Sequence, residues 1–175
     1  WQPRNYEKNY KGLIPFREAL VHSRNLATIN LVTDIGIDVL HRELNYYSFK
    51  DVPYDLSISL GSFGISPVDL SEKCTVFSNG GIMVKPYLIS SIEDRYGQKI
   101  TFEKEELYIT TPEQSYLTTS ILKDVVSRGT GRNARVKGLE IAGKTGTTNN
   151  NVDAWFCGYT PSLQGVVWYG NDDNK

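Results

Sequence analysis

Gly138-Leu139-Glu140-Ile141-Ala142-Gly143-Lys144-Thr145-Gly146-Thr147 admits two incompatible readings. Its first eight residues satisfy G-x-x-x-x-G-K-[ST], the phosphate-binding loop, which needs a preceding strand, a glycine-rich turn and a helix opening at the lysine. The intervening Leu-Glu-Ile-Ala reads as strand, however, and Gly-Thr-Thr-Asn-Asn-Asn after Thr145 is a poor helix start. The other reading makes residues 141–147 a strand. Side chains then alternate, with Lys144 and Gly146 on one face and Thr145 and Thr147 on the other. A lysine beside a bare glycine suits an extended, negatively charged peptide lying along the strand. The two threonine hydroxyls join it if the strand is twisted at a sheet edge. A surface lysine and a turn glycine are the plain alternative. Helix or strand after Lys144 separates a nucleotide site from a peptide cleft.

Around this segment the pattern is helices first, strands later. Two more strands follow it, residues 154–159 and 165–169, and their short connections favour antiparallel pairing. Residues 112–127 read as a helix capped by Thr111. Upstream, Ser66 and Pro67 open a helix with Leu70, Cys74 and Phe77 at helical spacing, which Gly80-Gly81 ends. Residues 87–102 read as a hairpin with strands at 88–92 and 99–102 and Tyr96-Gly97 in the turn. Residues 38–46 form a short helix after Gly36. Residues 15–33 carry two helices, broken near Ser23-Arg24-Asn25. Such clustering predicts an α+β domain with helices packed on an antiparallel sheet. The polar run of residues 147–151 is a loop.

Ser23-Arg24-Asn25 at that junction reads as caps, or as a pair of side chains entering a cleft, where Ser relays a proton and Asn donates to a peptide carbonyl. His22 is adjacent to Ser23, and neighbouring residues do not face each other on a helix, so a Ser-His pair is discounted.

Bulk composition excludes several classes. With 175 residues, 39% hydrophobic and 22% charged, the chain is an ordinary globular length for one domain. A net charge of −1 leaves no basic surplus for nucleic acid. No apolar run approaches the ~20 residues of a membrane span. The start, Trp1-Gln2-Pro3-Arg4-Asn5, is no signal peptide and suggests a processed or truncated chain. Two histidines, His22 and His41, cannot build a zinc site without more ligands. Cys74 and Cys157 match no metal spacing and are expected to be unpaired core thiols. No metal or cofactor is expected.

Taken together, Ser23-Arg24-Asn25 and Lys144-Thr145-Gly146 resemble the second and third motifs of penicillin-recognising serine enzymes. The surrounding phrases narrow the likeness: Arg17-Glu18-Ala19-Leu20, residues 60–67 (Leu-Gly-Ser-Phe-Gly-Ile-Ser-Pro), Ser78-Asn79-Gly80-Gly81, Gly129-Thr130-Gly131, residues 142–149 (Ala-Gly-Lys-Thr-Gly-Thr-Thr-Asn) and Asp153-Ala154-Trp155-Phe156. All resemble the transpeptidase domain of class A, bifunctional penicillin-binding proteins, from Trp1 to Asp173. The resemblance implies an α+β transpeptidase/β-lactamase-like fold in a single, incomplete domain over residues 1–175. It implies that Ser23, Asn25 and Lys144 are catalytic. Ser23 would pass a proton, Asn25 hold the substrate amide and Lys144 supply positive potential. Thr145 and Thr147 would bind the carboxylate of a D-Ala-D-Ala stem peptide or a β-lactam. Gly146 would let the substrate approach, and the Thr147 N–H would serve the oxyanion hole.

The nucleophile motif S-x-x-K is expected upstream of Ser23 and does not occur there; Ser120-Ile121-Leu122-Lys123 matches the spacing but lies between the other two motifs and is read as non-catalytic. The N-terminal portion of the domain, carrying the nucleophile, is therefore an expected partner. The fragment alone is expected to lack transpeptidase activity. Membrane contact is expected only through N-terminal segments, at the extracytoplasmic face of the cytoplasmic membrane. A non-catalytic peptide- or β-lactam-binding fragment is the alternative; a P-loop nucleotide binder ranks behind it, and the phrases at 60–67 and 154–156 point away from a β-lactamase.

Overall fold

A computed structural model of the chain describes residues 2–7, 9–148 and 152–171. Asn149, Asn150 and Asn151 of the polar run, and Trp1 and Asp173 at the ends of the resemblance, lie outside them.

Three helices come first: α1 (Phe16–Val21), α2 (Asn25–Ile35) and α3 (Ile37–Tyr46). A short 3₁₀ turn, Leu56–Leu60, leads to α4 (Pro67–Ser78). Ser66 caps α4 by accepting the Asp69 N–H, with Pro67 in the first turn, where its missing N–H costs nothing. Four three-residue strands follow: β1 (Ile82–Val84), β2 (Ser91–Glu93), β3 (Lys99–Thr101) and β4 (Glu106–Tyr108). Then come α5 (Pro112–Arg128), β5 (Ala142–Thr147), β6 (Ala154–Tyr159) and β7 (Gln164–Tyr169). At α5, Thr111 and Gln114 form a reciprocal capping box.

The fold is α+β. Strands β5, β6 and β7 form one antiparallel sheet in that order, while β1 pairs with β4 and β2 with β3. Register pairs Ala142 with Tyr159, Lys144 with Cys157 and Gly146 with Trp155, so these six positions share a face. That face receives α5 and α4. Val21 of α1, Leu122 and Val125 of α5, and Ala142 and Tyr159 of the sheet form the core cluster. Ser115, 2% exposed, ties α5 to α4 by donating to the Val76 and Phe77 carbonyls.

Four expectations change. Cys74 and Cys157 are not unpaired core thiols: each is half-buried, and the structure joins them as a disulfide. Their separation of 83 in sequence carries no spacing signal; α4 crossing β6 brings them together. The hairpin is shorter than expected, because Leu88 and Ile89 stand outside β2, Leu88 fully and Ile89 about half exposed. Strands β1 and β4 escape the sequence pattern because three residues show no period. Finally, β5 starts at Ala142 rather than at residue 141, and Leu139, read as strand with its neighbours, stands outside it and exposed.

Candidate active site

Strand β5 runs unbroken from Ala142 to Thr147, with Lys144 near its middle. No helix opens at the lysine, so the phosphate-loop geometry is absent and that reading fails.

The chain between α1 and α2 makes a sharp corner. Ser23 takes a positive φ of 51°, a left-handed conformation that costs a non-glycine residue about 1 kcal/mol or more. Its N–H donates to the Leu20 carbonyl, and that of Arg24 to Ala19, closing α1. Neither Ser23 nor Asn25 caps a helix with its side chain. Instead the Leu26 N–H donates to the Asn5 Oδ1 atom, so the cap of α2 comes from the N-terminal segment.

This corner faces β5. The Lys144 Nζ atom donates to Ser23 Oγ at 2.9 Å and to its neighbour's carbonyl, Thr145 O, at 2.8 Å. Lys144 lies at the rim of the core beside Ala142, and burial lowers its pKa from 10.5 to about 8, because a desolvated ammonium is disfavoured. Its ammonium therefore loses a proton more readily than that of an exposed lysine.

A cleft of about 480 Å³ opens in front of this contact, lined by Ser23, Asn25, Thr130, Thr145, Thr147 and Arg4, among others. Of the six residues singled out from sequence, Ser23, Asn25, Thr145 and Thr147 line it; Lys144 does not, and touches the cleft only through its hydrogen bond to Ser23. Gly146 is placed differently. A side chain there would meet Trp155 Cβ at 3.3 Å, so the bare position backs onto β6. The threonines reach the cleft because β5 pairs only with β6 among the described residues, leaving its outer edge open.

The Asn25 amide is engaged: its Nδ2 donates to the Arg4 carbonyl at 2.9 Å. Arg24, only 5% exposed, holds the same N-terminal segment, through Asn9 Oδ1 at 2.6 Å and an ion pair with Glu7 at 2.6 Å. Sequence reasoning missed both contacts. A backbone carbonyl has no residue signature, and a lone arginine inside a motif looks like a spacer. It also gave no role to Thr130, whose Oγ1 lies 2.7 Å from Thr145 Oγ1.

Ser120 and Lys123 do not form a second centre. Arg17 donates to Ser120 Oγ at 3.1 Å, and Lys123 pairs with Glu140 at 2.9 Å. His22 lies 3.5 Å from Glu18, an ion pair only when the ring is protonated.

The family described as the penicillin binding protein transpeptidase domain matches residues 1–174. The chain belongs to this family. Penicillin-binding protein 1A of Neisseria lactamica is 36% identical over 184 residues, taking in 100% of this chain and 23% of that protein. The Pseudomonas aeruginosa protein of the same name is 30% identical, over 98% of this chain and 28% of its own length. This transpeptidase-family chain thus spans about a quarter of the curated relatives it matches. Among solved structures, penicillin-binding protein 1A from Haemophilus influenzae superposes with a TM-score of 0.92 at 25% identity, over 99% of this chain and 32% of that one. The imipenem acyl-enzyme complex of penicillin-binding protein A from M. tuberculosis superposes at 0.81 and 22% identity over 95% of this chain and 45% of that one, a likeness of fold. The penicillin-binding transpeptidase family therefore accounts for the α+β architecture.

Proposed function

We propose that this chain supplies two walls of a D,D-transpeptidase cleft, which cross-links peptidoglycan stem peptides by serine acyl transfer and binds β-lactams. The observation that carries it is the 2.9 Å contact between Lys144 Nζ and Ser23 Oγ, which joins the two motifs across 121 positions. A serine upstream, in an N-terminal part of the same single domain, attacks the carbonyl of the penultimate D-Ala. The terminal D-Ala leaves with a proton, and the acyl group passes to an amine. Ser23 relays that proton with Lys144, and Asn25 holds the peptide once Arg4 releases its amide. Thr145 and Thr147 receive the carboxylate, and the Thr147 N–H serves the oxyanion, a donor typically worth ~3 kcal/mol. Gly146, backed by Trp155, keeps the strand free of a side chain between these groups. The reaction takes place at the extracytoplasmic face of the cytoplasmic membrane; no helix among the described residues is long and apolar enough to cross it.

Removing a serine nucleophile costs on the order of 10⁶ in turnover. The test is intact-mass spectrometry after labelled penicillin, on these 175 residues and on the same domain with its upstream sequence. An adduct is expected only with the upstream sequence. An adduct on the shorter chain, or none on either, sinks the proposal. The second of these outcomes supports a non-catalytic fragment, which the engaged Asn25 amide favours.

A further inference from the structure

We infer that Thr130 is a positioning residue of the carboxylate-binding end of this cleft, its hydroxyl paired to that of Thr145 so that the two present one directed O–H donor to the ligand. The inference rests on the function proposed above and adds a residue to that site.

Three observations carry it. Thr130 and Thr145 have their Oγ1 atoms 2.7 Å apart, and both line the cleft with Ser23 and Thr147. Two hydroxyls own two protons. Whichever donates to the other, one proton is consumed between them and one remains for an acceptor in the cleft. Without Thr130, the Thr145 rotor is free and its proton has no set direction.

Next, the backbone holding Thr130 is closely fitted. Its N–H donates to the Val21 carbonyl, two residues before Ser23, and the Gly131 N–H donates to Val125 O. A side chain on Gly129 would lie 2.3 Å from Val21 O and 2.9 Å from the Val125 Cα. Only a glycine there lets the end of α5 seat against the end of α1, and that seating sets the height of Thr130 over β5.

Last, Thr130 is exposed. A hydrogen bond between two solvent-facing hydroxyls adds little to stability, because water replaces it at nearly equal strength. A fold has little to gain from so close a seating of a surface threonine; a ligand that excludes water has much to gain. A donor to a carboxylate loses value steeply when misdirected.

The acceptor is a carboxylate, from a β-lactam or from the C-terminus of a D-Ala-D-Ala peptide. The test measures acylation of the full domain, upstream sequence included, by benzylpenicillin and by its methyl ester. Competition by a D-Ala-D-Ala peptide and by its C-terminal amide separates the two sources. Thr130→Val should slow acylation by the free acid roughly tenfold, leave the ester rate unchanged, and narrow the gap between peptide acid and amide. Thr130→Ser should keep the parent's preference for acids. Melting temperatures of both variants accompany the rates. Equal slowing of acid and ester by Thr130→Val, or no slowing, overturns the inference while leaving the transpeptidase reading intact. A parent domain that labelled penicillin does not acylate overturns both. Should Thr130→Val melt early, Thr130→Ser still decides: loss of acid preference there, with an unchanged melting temperature, counts against a role that serine can fill.

Discussion

Lys144 is the residue where fold and chemistry compete. The sheet places it at the edge of the apolar core, where a charge is disfavoured, and the Ser23 hydroxyl and the Thr145 carbonyl compensate in part by accepting from its ammonium. Removing one acceptor weakens the charged form. Ser23→Ala should therefore move the Lys144 pKa further down, below its value of about 8. Side-chain ¹⁵N titration by NMR reads this directly, and an upward or absent shift would show that Ser23 does not touch the ammonium. Lys144 and Ser23 were singled out in sequence because their two motifs, in that order, resemble those of one family; either residue alone reads as a surface lysine or a cap. Thr130 was not, since its significance lies in a distance to Thr145; the one available signal was a hydroxyl between two glycines at a helix end.

At the scale of elements, α1 is packed on α5 through Val21, Leu122 and Val125, and charge adds to that seating. Arg128 pairs with Glu18 at 2.6 Å and with Asp124 at 3.1 Å, and Arg17 adds a second cation on Asp124 at 2.9 Å. Hydrogen bonding and charge from Arg128 hold the Glu18 carboxyl below its ordinary 4.5. Burial pushes Asp124 up, but Arg128 and Arg17 outweigh it and keep that carboxyl below 3.8. Both folded pKa values are depressed, so this stabilisation is present above the ordinary values and is lost as pH falls through the folded ones. Arg128→Gln should lower the melting temperature at neutral pH, and the gap to the parent should close as the pH falls below the ordinary carboxylate values and through the depressed folded ones. A gap independent of pH would assign Arg128 a packing role instead. The long elements α4, α5, β6 and β7 followed from caps and periodicity within a few residues. The β2–β3 hairpin also followed, though shorter than expected. The β1–β4 pair did not, because its partners lie about two dozen positions apart, which no local pattern records.

Across the whole molecule, among the described residues, helices cover one side of the principal sheet and part of the other stays exposed. The face opposite α4 and α5 shows Val167 61% exposed and Tyr169 82% exposed, and β7 pairs only with β6 among the described residues. An apolar, unpaired strand edge is a template for further strand pairing. Sedimentation velocity should find this chain self-associating at high concentration, and Val167→Lys should suppress that without lowering the melting temperature. A monodisperse parent would contradict it. Neither the exposed part of that face nor its edge was legible beforehand, because alternation along a strand tells which residues share a side but not whether anything covers it.

The bond between positions 23 and 144 also dictates when a binding surface can exist. Drawing such distant parts of the chain together costs loop entropy before the contact returns anything. Partly folded intermediates would hold helices and hairpins but no recognition surface, so a ligand of the cleft would act solely on the finished fold and raise its unfolding temperature by mass action, without guiding the polypeptide toward it.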